Sequence, residues 1–334
     1  MQRNRFVDVL KGLLIIFVIV FHSDIPHSMR NVLGFPFWMN MAVPIFMMIS
    51  GYVSALSLQK KGSVEQAYEP RHLGQKMLRF VCPFTIAFLA QWIVFRATGL
   101  YQVGMKEYGL FALLLDYLRG GKGQGSYYFP IMIQFVFLFP AIYYFIKKYD
   151  WKGLLGCFGA NGIFEVIKLA YGMEEYEYRL VIFRYLFLIA AGCYIAIGDL
   201  DKLSKKGATI WSVGCVAIGL GFTFLFSYTT YSPKILVYWT DTSFVACLFL
   251  VPVIGWLLKK ASFGFKPLEL VGKASFNIFL VQMIYYNFAD AMTVLIPDMA
   301  LRLGFGILNC VAAGVVFYLI EEKLTKALIR ILQK

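Results

Sequence analysis

The strongest constraint on this chain is that apolar runs about 20 residues long recur along its whole length. A run of about 20 residues crosses the hydrocarbon core of a bilayer as a helix. Ten such runs are read at 6–25, 36–58, 79–98, 127–146, 153–171, 179–198, 208–228, 235–258, 274–296 and 302–321. They are continuously apolar and do not alternate, which excludes an outer-membrane barrel. The expected fold is therefore an all-α polytopic membrane protein, a bundle of about ten transmembrane helices read as one domain over residues 1–334. Composition agrees: 60% of residues are hydrophobic and 15% charged, against roughly 45–50% and 25% in soluble domains. No polar stretch is long enough to bury a core of its own.

The net charge of +13 could suggest a nucleic-acid partner, but cytoplasmic loops of membrane proteins collect Lys and Arg. Of the 32 Lys and Arg, 21 fall on the side of the N-terminus and nine on the other, with Lys11 and Arg184 left inside segments. This asymmetry puts both termini in the cytoplasm and accounts for the charge without nucleic acid. Six cysteines lie far apart in apolar segments, with no CxxC and no zinc spacing, so they read as small buried residues.

The chain opens "RNRFVDVLKGLLIIFVIVFHSD", with ten apolar residues between Lys11 and His22. A signal peptide would show a small-x-small cleavage site, and "HSDIPHSMRN" has none. On a helix Lys11 and His22 lie about 20° apart around the axis and about 16 Å apart along it. Asp8 joins them on that side. One face therefore carries a carboxylate, an ammonium and an imidazole in a column. Ionisable groups at membrane depth face a bundle interior or a water-filled cavity. A neutral imidazole there can take a proton from a hydroxyl that attacks an activated acyl group. Asp24 is read either as the group that orients His22 or as a solvated loop residue.

Lys76 and Arg79 in "RHLGQKMLRF" are three apart and share a helical face. They suit either interface anchoring or a phosphate-binding patch. Arg184 sits within an apolar segment as a substrate-binding candidate, and Glu165 with Lys168 is spaced to pair. The 99–126 connection contains "EYGLFALLLDYLRG" followed by "GKGQGS". Its first part is apolar enough to lie in the interface, and the glycine run reads as a hinge or loop. It is neither a P-loop nor a dinucleotide fingerprint. No GxSxG elbow occurs.

Several segments in order resemble the acyltransferase 3 family of bacterial integral-membrane O-acyltransferases. "DVLKGLLIIFVIVFHS" is similar to the family's first-helix signature. "VPIFMMISGYV" resembles its Phe-rich run ending Ser-Gly-Tyr, and "KMLRFVCPF" its basic pair followed by Pro. "SYYFPIMIQFVFLFP", "FRYLFLIAAGCYIA" and "LELVGKASFNIFLVQ" resemble later segments. Many relatives end the last of these with His where this chain has Gln282, so Gln282 receives no catalytic role.

The resemblance implies transfer of an acyl group, usually acetyl, from cytoplasmic acyl-CoA to a hydroxyl of a cell-envelope glycan or lipid-linked sugar. No permanently bound cofactor is implied, and the setting is the bacterial cytoplasmic membrane. It implies His22 as the catalytic base, with Lys11, Lys76 and Arg79 handling acyl-CoA. Two other readings stand beside it: a transporter or flippase for a lipid-linked sugar that uses the same polar column, and a non-catalytic partner in a polysaccharide machine, for which the alignment of Lys11 and His22 would be incidental. The lack of visible internal repeats weighs against a transporter.

Overall fold

The computed structural model describes residues 4–60, 65–99, 109–198, 205–230 and 243–331. Parts of two expected features, the 99–126 connection and the 235–258 segment, lie outside the described residues, as do Arg3, Lys61, Lys106, Lys202, Lys234 and Lys334 of the charge count. The described chain is all-helical, with no strand among the described residues.

Twelve helices carry the argument. They are α1 (Arg5–Phe21), α2 (Ala42–Gln59), α3 (Pro70–Thr98), α4 (Leu110–Leu118), α5 (Tyr128–Tyr149) and α6 (Trp151–Tyr171). They continue with α7 (Leu186–Ile197), α8 (Lys205–Tyr228), α9 (Leu250–Lys260), α10 (Lys266–Lys273), α11 (Ser275–Tyr285) and α12 (Met299–Ile331).

Among the described residues seven helices are long and apolar enough to cross a membrane by length and composition, and the chain is a multi-pass membrane protein. The other three apolar runs contribute helices below that length among the described residues: α1 has 17 residues, Ile182–Ile197 is a short apolar helix that begins with a 3₁₀ turn, and the described part of the 235–258 run includes α9, of 11 residues.

The bundle has an inside and a lipid face. In α2, 61% of the apolar window is buried, whereas in α8 and α12 the share is 17%. The outward residues of α8 and α12 are nevertheless Ile210, Val213, Phe224, Leu301, Leu308 and Ile320. In water such a surface would be an unpartnered apolar patch; in a bilayer it is the expected lipid contact. At the centre α2 packs along α7. This crossing depends on two glycines: a Cβ on Gly51 would collide with the Ile189 carbonyl, and one on Gly192 with the Met48 carbonyl. Small residues let membrane helices approach backbone to backbone, which is the main source of their attraction once lipid replaces water.

The position of α1 is fixed at its start. Asn4 caps it, with Oδ1 accepting from the Phe6 N–H at 3.0 Å. Its Nδ2 donates to the Leu258 carbonyl at 3.2 Å. Arg5 then binds Glu269 of α10 at 2.7 Å, so the charged end of α1 is tied to the two segments beside it.

Candidate functional site

Two cavities meet at His22. The larger, about 520 Å³, runs along α1 and is lined from that helix by Asp8, Lys11, Ile15, Val18 and His22. Successive members are three and four residues apart, the repeat of one helical face. The face on which Lys11 and His22 align is thus the face turned to this cavity. Its other walls bring Arg79 from α3, Lys273 from α10, and Glu321, Glu322 and Lys326 from α12. Part of this charge is already matched. Lys326 pairs with Glu322 at 2.9 Å. Glu321 accepts from the Asn277 amide at 3.3 Å and from the Thr325 hydroxyl.

The second cavity, about 350 Å³, shares His22, Val18, Val43, Gly125 and Tyr127 with the first. Beyond them it is lined by Asn40, Gln124, Arg179, Arg184 and Tyr185. His22 stands between the two because α1 ends at Phe21. His22 is the C-cap, its backbone N–H donating to the Val18 carbonyl at 3.2 Å. The last turn therefore presents the imidazole at the helix end, against Phe21 and Tyr286.

The Gln124 side chain lies within hydrogen-bonding reach of the imidazole. It belongs to the "GKGQGS" stretch, a loop that packs into the bundle. Gly120, Gly121, Gly123 and Gly125 all have positive φ, from 80° to 129°, a region only glycine enters at low cost. Buried Gln91 of α3 clamps the loop from below. Its Nε2 donates to the Lys122 carbonyl at 2.5 Å, and its Oε1 accepts from the Lys122 N–H at 3.1 Å. Gln282 of α11 donates to the Gln124 carbonyl at 3.4 Å. A Cβ on Gly125 would lie 2.8 Å from the Phe279 ring and 3.9 Å from His22 Nε2. Glycine is what allows the loop to reach the imidazole.

Other expected site residues fall in different places. Asp24 does not join His22. Its carboxylate is exposed, 3.3 Å from Arg302 Nε and 3.3 Å from the Thr293 hydroxyl. The chain leaves the helix after Phe21, so the direction of Asp24 no longer follows that of His22. Of the basic pair on α3, Arg79 lines the larger cavity and is exposed, whereas Lys76 is not among its lining residues.

Arg184 lies in the 3₁₀ turn Ile182–Tyr185 that opens the α7 segment, and it lines the second cavity. It is 6% exposed. Its guanidinium sits against the rings of Tyr127, Tyr178 and Tyr185, 4.7–5.4 Å from their centroids. Behind it Glu165 and Lys168 do pair, at 3.1 Å, with Tyr178 Oη donating to Glu165 at 2.5 Å. Among the described residues no group of His, Cys, Asp and Glu could hold a metal ion.

The model of one family, described as an acyltransferase domain, matches residues 4–320. The chain belongs to the acyltransferase 3 family. No curated protein and no solved structure matches it. Membership makes this a membrane acyltransferase. The matched region contains both cavities except the part of the α12 wall beyond residue 320.

Residues that the sequence did not single out complete the site: Gln124, Gly125, Tyr127, Lys273 and Lys326. A glutamine between two glycines was the available signal for Gln124. Nothing local marks Lys273 or Lys326, whose place depends on how α10 and α12 pack.

Proposed function

We propose that this chain is a membrane O-acyltransferase that moves an acyl group, acetyl by family expectation, from cytoplasmic acyl-CoA to a hydroxyl of a cell-envelope glycan or lipid-linked sugar. The observation that carries the reading is that His22 lines both cavities. Donor and acceptor can then arrive from different sides and meet at one base.

In this reading the larger cavity holds the donor. Arg79, Lys273 and Lys326 receive the phosphates of CoA, with Lys11 deeper along the same face. The pantetheine arm follows α1, and the thioester arrives beside His22. Both termini lie in the cytoplasm, as the Lys and Arg asymmetry supports, so the donor enters from the side where acyl-CoA is made. The acceptor occupies the second cavity, beneath the glycine loop.

The chemistry is then direct. Gln124 holds one ring nitrogen of His22, and the other takes the proton of the acceptor hydroxyl as its oxygen attacks the thioester carbon. The tetrahedral intermediate collapses with cleavage of the carbon–sulfur bond. The departing CoA thiolate receives the proton from the imidazolium, which restores neutral His22 and releases CoA as a thiol. The test is transfer from labelled acyl-CoA in membranes that contain the wild type or His22→Ala at matched levels. The expected result is loss of transfer in the variant, and full transfer by the variant would refute the assignment.

A further inference from the structure

His22 lines both cavities, so its ring has to be held where α1 ends. The last carbonyls of a helix have no donor within the helix and need partners from elsewhere. In a membrane bundle those partners come mainly from the protein. At the end of α1 the His22 N–H goes to the Val18 carbonyl at 3.2 Å. The Ser23 N–H tightens to the Val20 carbonyl at 3.1 Å, joined there by the Ser23 hydroxyl at 2.6 Å. The Ile19 carbonyl accepts from Tyr286 Oη at 2.7 Å. Tyr286 opens the 3₁₀ turn Tyr286–Phe288 that follows α11, 267 residues from Ile19 in sequence. Its ring also faces the imidazole, with 6.3 Å between centroids.

A second side chain holds the chain just beyond. Arg30 donates from Nη2 to the Ser23 carbonyl at 2.7 Å and from Nε to the Ile25 carbonyl at 2.8 Å. Its guanidinium lies over the Phe21 ring, 5.4 Å from the centroid. Phe21 and Ser23, the two neighbours of His22, are thus both in contact with Arg30. Neither Tyr286 nor Arg30 lines either cavity, so neither is placed to touch donor or acceptor.

We infer that Tyr286 and Arg30 are positioning residues: they fix the end of α1 so that the imidazole faces both cavities. A misplacement of about 1 Å that starts away from the reacting atoms can cost on the order of 10²-fold in rate. The effect on rate rests on the acyl-transfer reading, but the anchoring can be tested by itself.

Tyr286→Phe keeps the ring and removes only the hydroxyl donor. Purified full-length protein is isotope-labelled at the ring nitrogens of its three histidines, His22, His27 and His72, and their NMR signals are assigned with His22→Ala. In Tyr286→Phe the His22 signals should move or broaden while those of His72 stay in place. In the transfer assay kcat should fall about tenfold, the worth of one hydrogen bond, with the KM for both substrates within about twofold. Arg30→Gln should also lower kcat, and Arg30→Lys, which can reach one carbonyl in place of two, should keep part of it. A transfer-active protein in which Tyr286→Phe leaves either kcat or the His22 signals unchanged would overturn the inference. So would a variant in which the His72 signals shift and donor binding is lost, because that marks general loosening. His22 signals that respond to Tyr286→Phe, in a protein that transfers no acyl group to any acceptor, would keep the anchoring and refute the acyl-transfer reading.

Discussion

The cavity along α1 carries four basic side chains, Lys11, Arg79, Lys273 and Lys326, and three carboxylates, Asp8, Glu321 and Glu322. The cavity across His22 carries two arginines and, among the described residues, no carboxylate. In the first, a bound anion competes with carboxylates such as Glu322, which pairs with Lys326; in the proposed reading this suits a donor that must come and go. This cavity's charges lie on four helices, and Arg79, Lys273 and Lys326 are exposed, so each contributes modestly. In the second, a guanidinium is buried among three tyrosine rings. Buried charge is screened little and interacts strongly. Single substitutions should therefore weaken the donor side gradually and the acceptor side abruptly, with His22 common to both.

The largest effect is expected at His22. His22→Ala should lower kcat by about 10²- to 10⁴-fold, the usual worth of general base catalysis, while acyl-CoA still binds. Equilibrium binding of labelled donor to the variant checks the second half. Gly125→Leu comes next. The residue has φ 87°, and its Cβ would press on Phe279 beside His22. Strain at such a position costs on the order of 1–3 kcal/mol, so both thermal stability and transfer should fall, and a melting curve in detergent reads the first.

Gln124→Ala should reduce kcat by about tenfold, equivalent to one hydrogen bond of roughly 1.4 kcal/mol, with little change in either KM. A kcat–pH profile that moves along with the loss would mark a positioning role and not a structural one. On the donor side, Lys273→Gln with Lys326→Gln should raise the KM for acyl-CoA several-fold. An acyl-pantetheine donor without the phosphates should be affected much less, and equal effects on both donors would remove the distinction between the two cavities. Asp24→Asn should be the mildest. It weakens a partly exposed pair with Arg302, worth about 0–1 kcal/mol, and transfer should stay within about twofold.

What could be read in the sequence was whatever one helix decides. Lys11 and His22 share a face because helical periodicity fixes that over eleven residues, and the cavity wall follows the same face. The Glu165–Lys168 pair was legible for the same reason. The all-helical character followed from the apolar runs. Seven of the runs give helices long enough to span among the described residues, while α1 and Ile182–Ile197 are shorter.

Legibility ended where the helix ended. Asp24 is two residues from His22 in sequence, yet a turn directs it to Arg302. The glycine loop is positioned by Gln91, Gln282 and Asn287, which lie 31 to 165 residues away from their loop partners. Such contacts leave no local pattern. The loop's glycines were visible as punctuation, but the amides that pin it beside His22 were not.

The most direct test of the central claim is release of CoA thiol by purified protein given acyl-CoA and an acceptor, with acylated acceptor measured in the same reaction. The two should appear in equal amounts with the wild type, and both should vanish in a folded His22→Ala variant that still binds donor. Undiminished release and transfer by that variant would contradict the claim that the two cavities meet at the catalytic base.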